Sequence, residues 1–123
     1  MREYGRLIDF LLDLGTAIQD YLPEEQRVNP LTLKDVVRDW TWRKSLLDLY
    51  IFRSDIKSYL NKHMAGDYSV DQLFYDYDIG FVQERFGCDD AQLLAETLQL
   101  LNTGINDRKW HLISSYTRWF RFK

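Results

Sequence analysis

A chain of 123 residues, 46% apolar and 28% charged, can bury about two thirds of its unfolded surface in one core, which excludes a disordered segment and points to a single helical domain over residues 1–123. Its net charge of −3 excludes the strongly basic balance of a dedicated nucleic-acid binder, and its single cysteine, Cys88, excludes an intramolecular disulfide or a cysteine-based zinc site. The N-terminal stretch lacks an apolar signal core, and Asp9 and Asp13 interrupt the run from Leu7 to Leu14, so neither secretion nor membrane insertion is expected and a reducing, cytoplasmic setting is.

The first predicted helix covers about Arg2 to Tyr21, with Tyr4, Leu7, Ile8, Leu11, Ile18, Tyr21 and Leu22 on one face and Pro23 stopping it. A polar connector bounded by Pro23 and Pro30 follows. Thr32 and Asp35 form a capping-box signature for a second helix that buries Leu33, Val36, Val37 and Trp40. The apolar phase then changes, and Ser45 with Asp48 repeats the signature, so a break near Trp42–Ser45 separates this helix from a third over about Leu46 to Met64; one long bent helix is the alternative. Gly66 is placed as a C-terminal cap.

Ser69 and Gln72 open a fourth segment whose Val70, Leu73, Phe74, Tyr77, Phe81 and Val82 recur at helical spacing, weakened at Gly80 and ended at Gly87. Asp89 and Gln92 open a fifth helix, with Ala91, Leu94, Ala95, Leu98 and Leu101 inward, expected to end at Asn102–Gly104. Asn106 is read as the cap of a sixth, with Ile105 and Trp110 as its hydrophobic staple and Trp110, Ile113, Thr117 and Phe120 on its inner face. No strand-like alternation competes, so the class is all-α: a single-domain bundle of five to six short-to-medium helices.

Charge is distributed unevenly along this frame. Residues 1–64 balance to zero, residues 65–101 carry −7, and residues 102–123 carry +4. Such a polarised chain either folds its charged segments together or offers them to partners of opposite sign.

Catalytic and metal-binding patterns are thin. His63 and His111 lie far apart, Cys88 has acidic neighbours that raise a thiol pKa, and no phosphate loop or serine elbow is present. Asp76-x-Asp78 and Asp89-Asp90 lack the longer run of oxygen ligands that a calcium loop needs. No enzyme activity, metal or cofactor is therefore expected.

Two stretches stand out as binding surfaces. Asp71, Tyr75 and Asp78 fall opposite Phe74 and Phe81, and with Asp76, Glu84, Asp89 and Asp90 they make an acidic, tyrosine-bearing surface suited to a basic partner: charge steers the encounter and the ring supplies buried area. The tail, Arg108-Lys109-Trp110-His111 and Tyr116 to Lys123, interleaves bases with rings, but its rings sit at core spacing and its bases can pair with the acidic segment. The leading expectation is a non-enzymatic module, of inhibitor, immunity-protein or regulatory adaptor type, that docks a toxin, nuclease or regulated enzyme through residues 71–90. The alternative is a nucleic-acid-associated protein using residues 108–123, which the overall acidity makes the weaker reading. A homodimer joining the basic tail of one copy to the acidic segment of another is also compatible with the charge layout.

Overall fold

The computed structural model describes residues 4–20, 32–77, 79 and 86–121, excepting the side chains of 17–20 and 116–121. Among them are five helices and no strand: α1 (Gly5–Asp20), α2 (Leu33–Arg43), α3 (Leu46–Met64), α4 (Val70–Asp76) and α5 (Asp90–Arg121). The inward placements expected of Ile18, Tyr21, Leu22, Phe81, Val82, Thr117 and Phe120, and the kink expected at Gly80, lie outside the described residues and side chains.

Helix starts follow local chemistry. Thr32, Ser45 and Ser69 each accept the backbone N–H three residues on, at 3.1, 3.1 and 3.2 Å, satisfying one of the donors that a helix start leaves free. Asp89 does the same for Gln92 at 2.8 Å, and Gln92 Oε1 accepts the Asp89 N–H at 3.1 Å, closing a reciprocal capping box. α2 ends at Arg43, and Lys44 and Ser45 turn the chain into α3, so the two are separate helices. At the far end of α3, Gly66 takes φ +84°, its N–H meets the His63 carbonyl and the Asp67 N–H meets that of Lys62, the two bonds of a Schellman cap.

One cluster of buried side chains draws on all five helices. At its centre Phe10, Trp40 and Phe52 pack with ring centroids 4.9–5.3 Å apart, and the Trp40 Nε1–H donates to Asp13 Oδ2 at 2.9 Å. Phe10 and Leu14 are fully buried although neither belongs to the face expected for α1; Leu7, Ile8 and Leu11 are buried as expected. α1 is tied to α3 by the Arg6–Asp48 ion pair at 2.9 Å, by Asp55 Oδ2 accepting the Leu7 N–H, and by Tyr4 and Ser58 hydroxyls 3.2 Å apart. Burial pushes the Asp55 carboxyl up, against the pull of the Leu7 and Arg6 amides and the Arg6 charge.

The expected break at Asn102–Gly104 is corrected: α5 is continuous from Asp90 to Arg121. Gly104 faces α2, where a Cβ would lie 2.7 Å from the Thr41 side chain, so this glycine lets two helices approach rather than ending one. Asn106 is consequently an interior residue and caps nothing.

A second correction follows from that continuity. Trp110 and Ile113, placed on a core face by their spacing, are exposed, with Trp110 62% accessible. α5 runs past the α2–α3 corner, where Arg108 donates to the carbonyls of Thr41 and Lys44 and satisfies the end of α2. From Asn106 to Ser115 only Arg108 is half-buried; the other side chains are exposed.

Candidate protein-binding surfaces

α4 is short, and tertiary contacts hold it. Val70, Leu73 and Phe74 are buried, the Tyr59 hydroxyl donates to the Ser69 carbonyl at 3.1 Å, and the Val70 N–H donates to His63 Nδ1 at 3.3 Å. His63 thus has a structural partner at the α3–α4 joint, and His111 packs edge-on against Trp42 with centroids 5.6 Å apart. Orienting the apolar side of α4 inward leaves Asp71, Gln72, Tyr75 and Asp76 exposed, with Tyr75 78% accessible. Gln72 Nε2 donates to Asp76 Oδ1 at 2.8 Å, which holds that carboxylate at the last residue of α4.

The start of α5 brings Asp90 against Asp71, with Asp89 exposed beside it. The Asp90 carboxyl is pushed up to about 6, first by burial, then by its hydrogen bond to Asp71 and by the charges of Asp71 and Asp89. Two carboxyls in contact hold a proton between them more readily than either does alone. Asp71, Asp89 and Asp90 therefore converge, while Tyr75 and Asp76 extend the surface along α4; Asp78 and Glu84 lie outside the described residues. No three histidine, cysteine or acidic side chains among the described residues converge as metal ligands do. Burial, then the charges of Glu96, Asp89 and Asp90, push the Cys88 thiol up, the reverse of an activated nucleophile.

The carboxyl pair predicts a pH effect. Because the Asp90 pKa in the fold lies above its ordinary 3.8, the protonated pair favours the folded state below about pH 4, and that contribution is lost as pH rises through about 6. Both groups meet water, so the loss amounts to less than about 1 kcal/mol. Carboxyl-carbon NMR is expected to give an Asp90 midpoint near 6. Asp71→Asn should move it down towards the ordinary range, with burial keeping it from going all the way.

A basic surface that segment charge conceals lies on α3. Asp9, Asp13, Asp35, Asp39 and Asp48 are paired with Arg6, Arg38 and Arg43 on α1–α3. Arg53, Lys57 and Lys62 are left to line an open groove of about 550 Å³ with Tyr50, Ser54, Ser58 and Asn61, and no carboxylate is among these lining residues. Lys109 of α5 comes to the same place, its Nζ 5.1 Å from the Tyr50 ring centroid, and Arg53 reaches Asn102 Oδ1 at 3.4 Å. The described bases of the tail, Arg108 and Lys109, thus meet α2 and α3. The sequence signal for the groove is the i, i+4 spacing of Arg53 and Lys57, which a regional charge sum hides.

Among the described residues no helix is long and apolar enough to cross a membrane. Comparison with protein-family models, with curated proteins and with solved structures finds no match.

Proposed function

We propose that the chain is a non-enzymatic protein-binding module of the cytoplasm, an inhibitor, immunity-type or regulatory protein whose acidic face on α4 and the start of α5 docks a basic surface of its partner. The observation that carries this reading is Tyr75, an exposed ring on a helix held by its other face, with Asp71 and Asp76 on that helix and Asp89 and Asp90 at the start of the next. A large amphipathic ring adds contact area with little entropy to lose, and carboxylates around it speed encounter with a basic surface and discriminate against acidic ones. The buried side of α4 fixes the backbone that carries Tyr75, Asp71 and Asp76, which lowers the ordering cost of binding.

The test is affinity capture from the native host followed by a binding titration with the captured protein. Asp71, Asp76, Asp89 and Asp90 changed together to Asn should weaken the complex by about a hundredfold, chiefly through slower association, with a strong salt dependence in the wild type. Unchanged affinity in that variant, at an unchanged fold by circular dichroism, rejects the acidic face.

A second reading, association with nucleic acid through α5, is favoured by the exposure of Trp110 beside Lys109. Against it, Arg108 is engaged at the end of α2 and the net charge of −3 repels phosphate.

A further inference from the structure

We infer that the α3 groove is a second docking site, and that it takes an acidic helix of a partner protein with carboxylates one turn apart. Arg53, Lys57 and Asn61 succeed one another at i, i+4 and i+8 along the groove, so their stems step by about 6 Å each. Carboxylates spaced four residues apart on a facing helix repeat at the same interval, whereas alternate side chains of an extended strand step by about 6.7 Å and drift out of register. Ser54 and Ser58 offer hydroxyl donors between the charges, and Lys62 closes the far end.

The cations at the two ends of the groove are positioned beforehand. Arg53 is held by Asn102 and by the Tyr50 ring, 4.9 Å from its centroid, and Lys109 adds a fourth positive charge from α5 at that end. Lys62 lies 4.9 Å from the Tyr68 centroid and 5.7 Å from that of Tyr4. Tyr4 itself adopts φ +59°, a costly conformation for a tyrosine, and is kept there beside Ser58, Tyr59 and Tyr68. These contacts orient Arg53 and Lys62 at the two ends of the groove, and no ion pair among the described residues engages its cations.

The same details separate an acidic helix from a nucleic acid. Single strands bind on free aromatic faces, and the rings nearest this groove already carry cations. A dense phosphate array is also repelled by a chain of net charge −3, while a helix presenting three or four carboxylates matches the number of cations and no more. The groove is distinct from the acidic face, so the two sites bind partners of opposite charge.

The experiment uses the full chain and three fluorescent probes at low salt: a helical alanine-based peptide with Glu at i, i+4, i+8 and i+12, a peptide of the same composition with its glutamates off a common face, and a 16-mer of deoxythymidine. The first should bind most tightly, and Arg53→Glu with Lys57→Glu should weaken it at least about tenfold. Lys34→Glu with Arg38→Glu, on α2, should leave it within about twofold. Tighter binding of the oligonucleotide, equal binding of the two peptides, or indifference to the Arg53/Lys57 change overturns the inference. The acidic-face variant, tested alongside, should bind the helical peptide at least as well as the wild type, so failure of this site and of the acidic one are read separately.

Discussion

Trp40→Ala is expected to cost about 3–5 kcal/mol, the largest loss of any single side chain among the described residues. Trp40 is 2% exposed and joins α2 to α1 and α3 through Phe10 and Phe52. Removing it leaves a cavity bounded by two rings that cannot both move in, because each is packed against the other at 4.9 Å. A domain of this size has roughly 5–15 kcal/mol in hand, so the variant loses a large share of its stability. Urea unfolding followed by circular dichroism should show the midpoint fall with little change in slope. Trp40→Phe, which keeps a ring in place, should cost only about 2 kcal/mol; the Asp13 carboxylate it releases is half-exposed and still lies 3.7 Å from Arg43, so no buried charge is stranded. A loss under about 1 kcal/mol for Trp40→Ala would place the core elsewhere.

The second large effect is at the crossing of α2 and α5, the most extensively packed pair of helices among the described residues. Gly104→Ala ought to gain about 1 kcal/mol from helix propensity alone. Here the new Cβ meets Thr41 Cγ2 and Oγ1 at 2.7 Å, and Thr41 is buried, β-branched and fixed by its bond to the Val37 carbonyl at 2.8 Å. Overpacking of this kind costs about 1–3 kcal/mol, so Gly104→Ala is expected to destabilise and Gly104→Val to do so by about 3 kcal/mol. In a Thr41→Ala background the nearest remaining atom is the residue 41 Cβ at 3.1 Å, a contact that small shifts relieve. The double-mutant cycle should therefore show a favourable coupling of at least about 1 kcal/mol. Stabilisation by Gly104→Ala in the wild-type background would show that the helices do not meet there.

What the sequence made legible was what short-range chemistry decides. The starts at Thr32, Ser45, Ser69 and Asp89 are caps formed within four residues, and the turn between α2 and α3 follows from two of them. What remained hidden depends on a neighbouring element. Gly104 reads as a helix end until α2 is seen against it, and Trp110 reads as core because its spacing is helical, although α5 has by then passed the α2–α3 corner. Phe10 and Leu14 were missed because α1 is apolar on more than one side, and periodicity then chooses a face poorly. For the acidic surface, exposure of Asp71 and Tyr75 followed from the inward set of α4, but the meeting of Asp71 with Asp90 required α4 to pack on α5. The basic groove went unseen for a similar reason: the acids that cancel it in the charge sum are spent on other arginines.

The claim that the acidic face is the working surface is tested most directly by site-specific photo-crosslinking. A benzophenone amino acid replaces Tyr75 in one variant and Met64 in another, positions of comparable exposure at 78% and 83%. Position 75 should crosslink a protein with a basic surface in the native host, position 64 should not, and the yield at 75 should collapse when Asp71, Asp76 and Asp89 are changed to Asn. Equal yields from both positions, or a yield at 75 indifferent to the loss of those carboxylates, would contradict it.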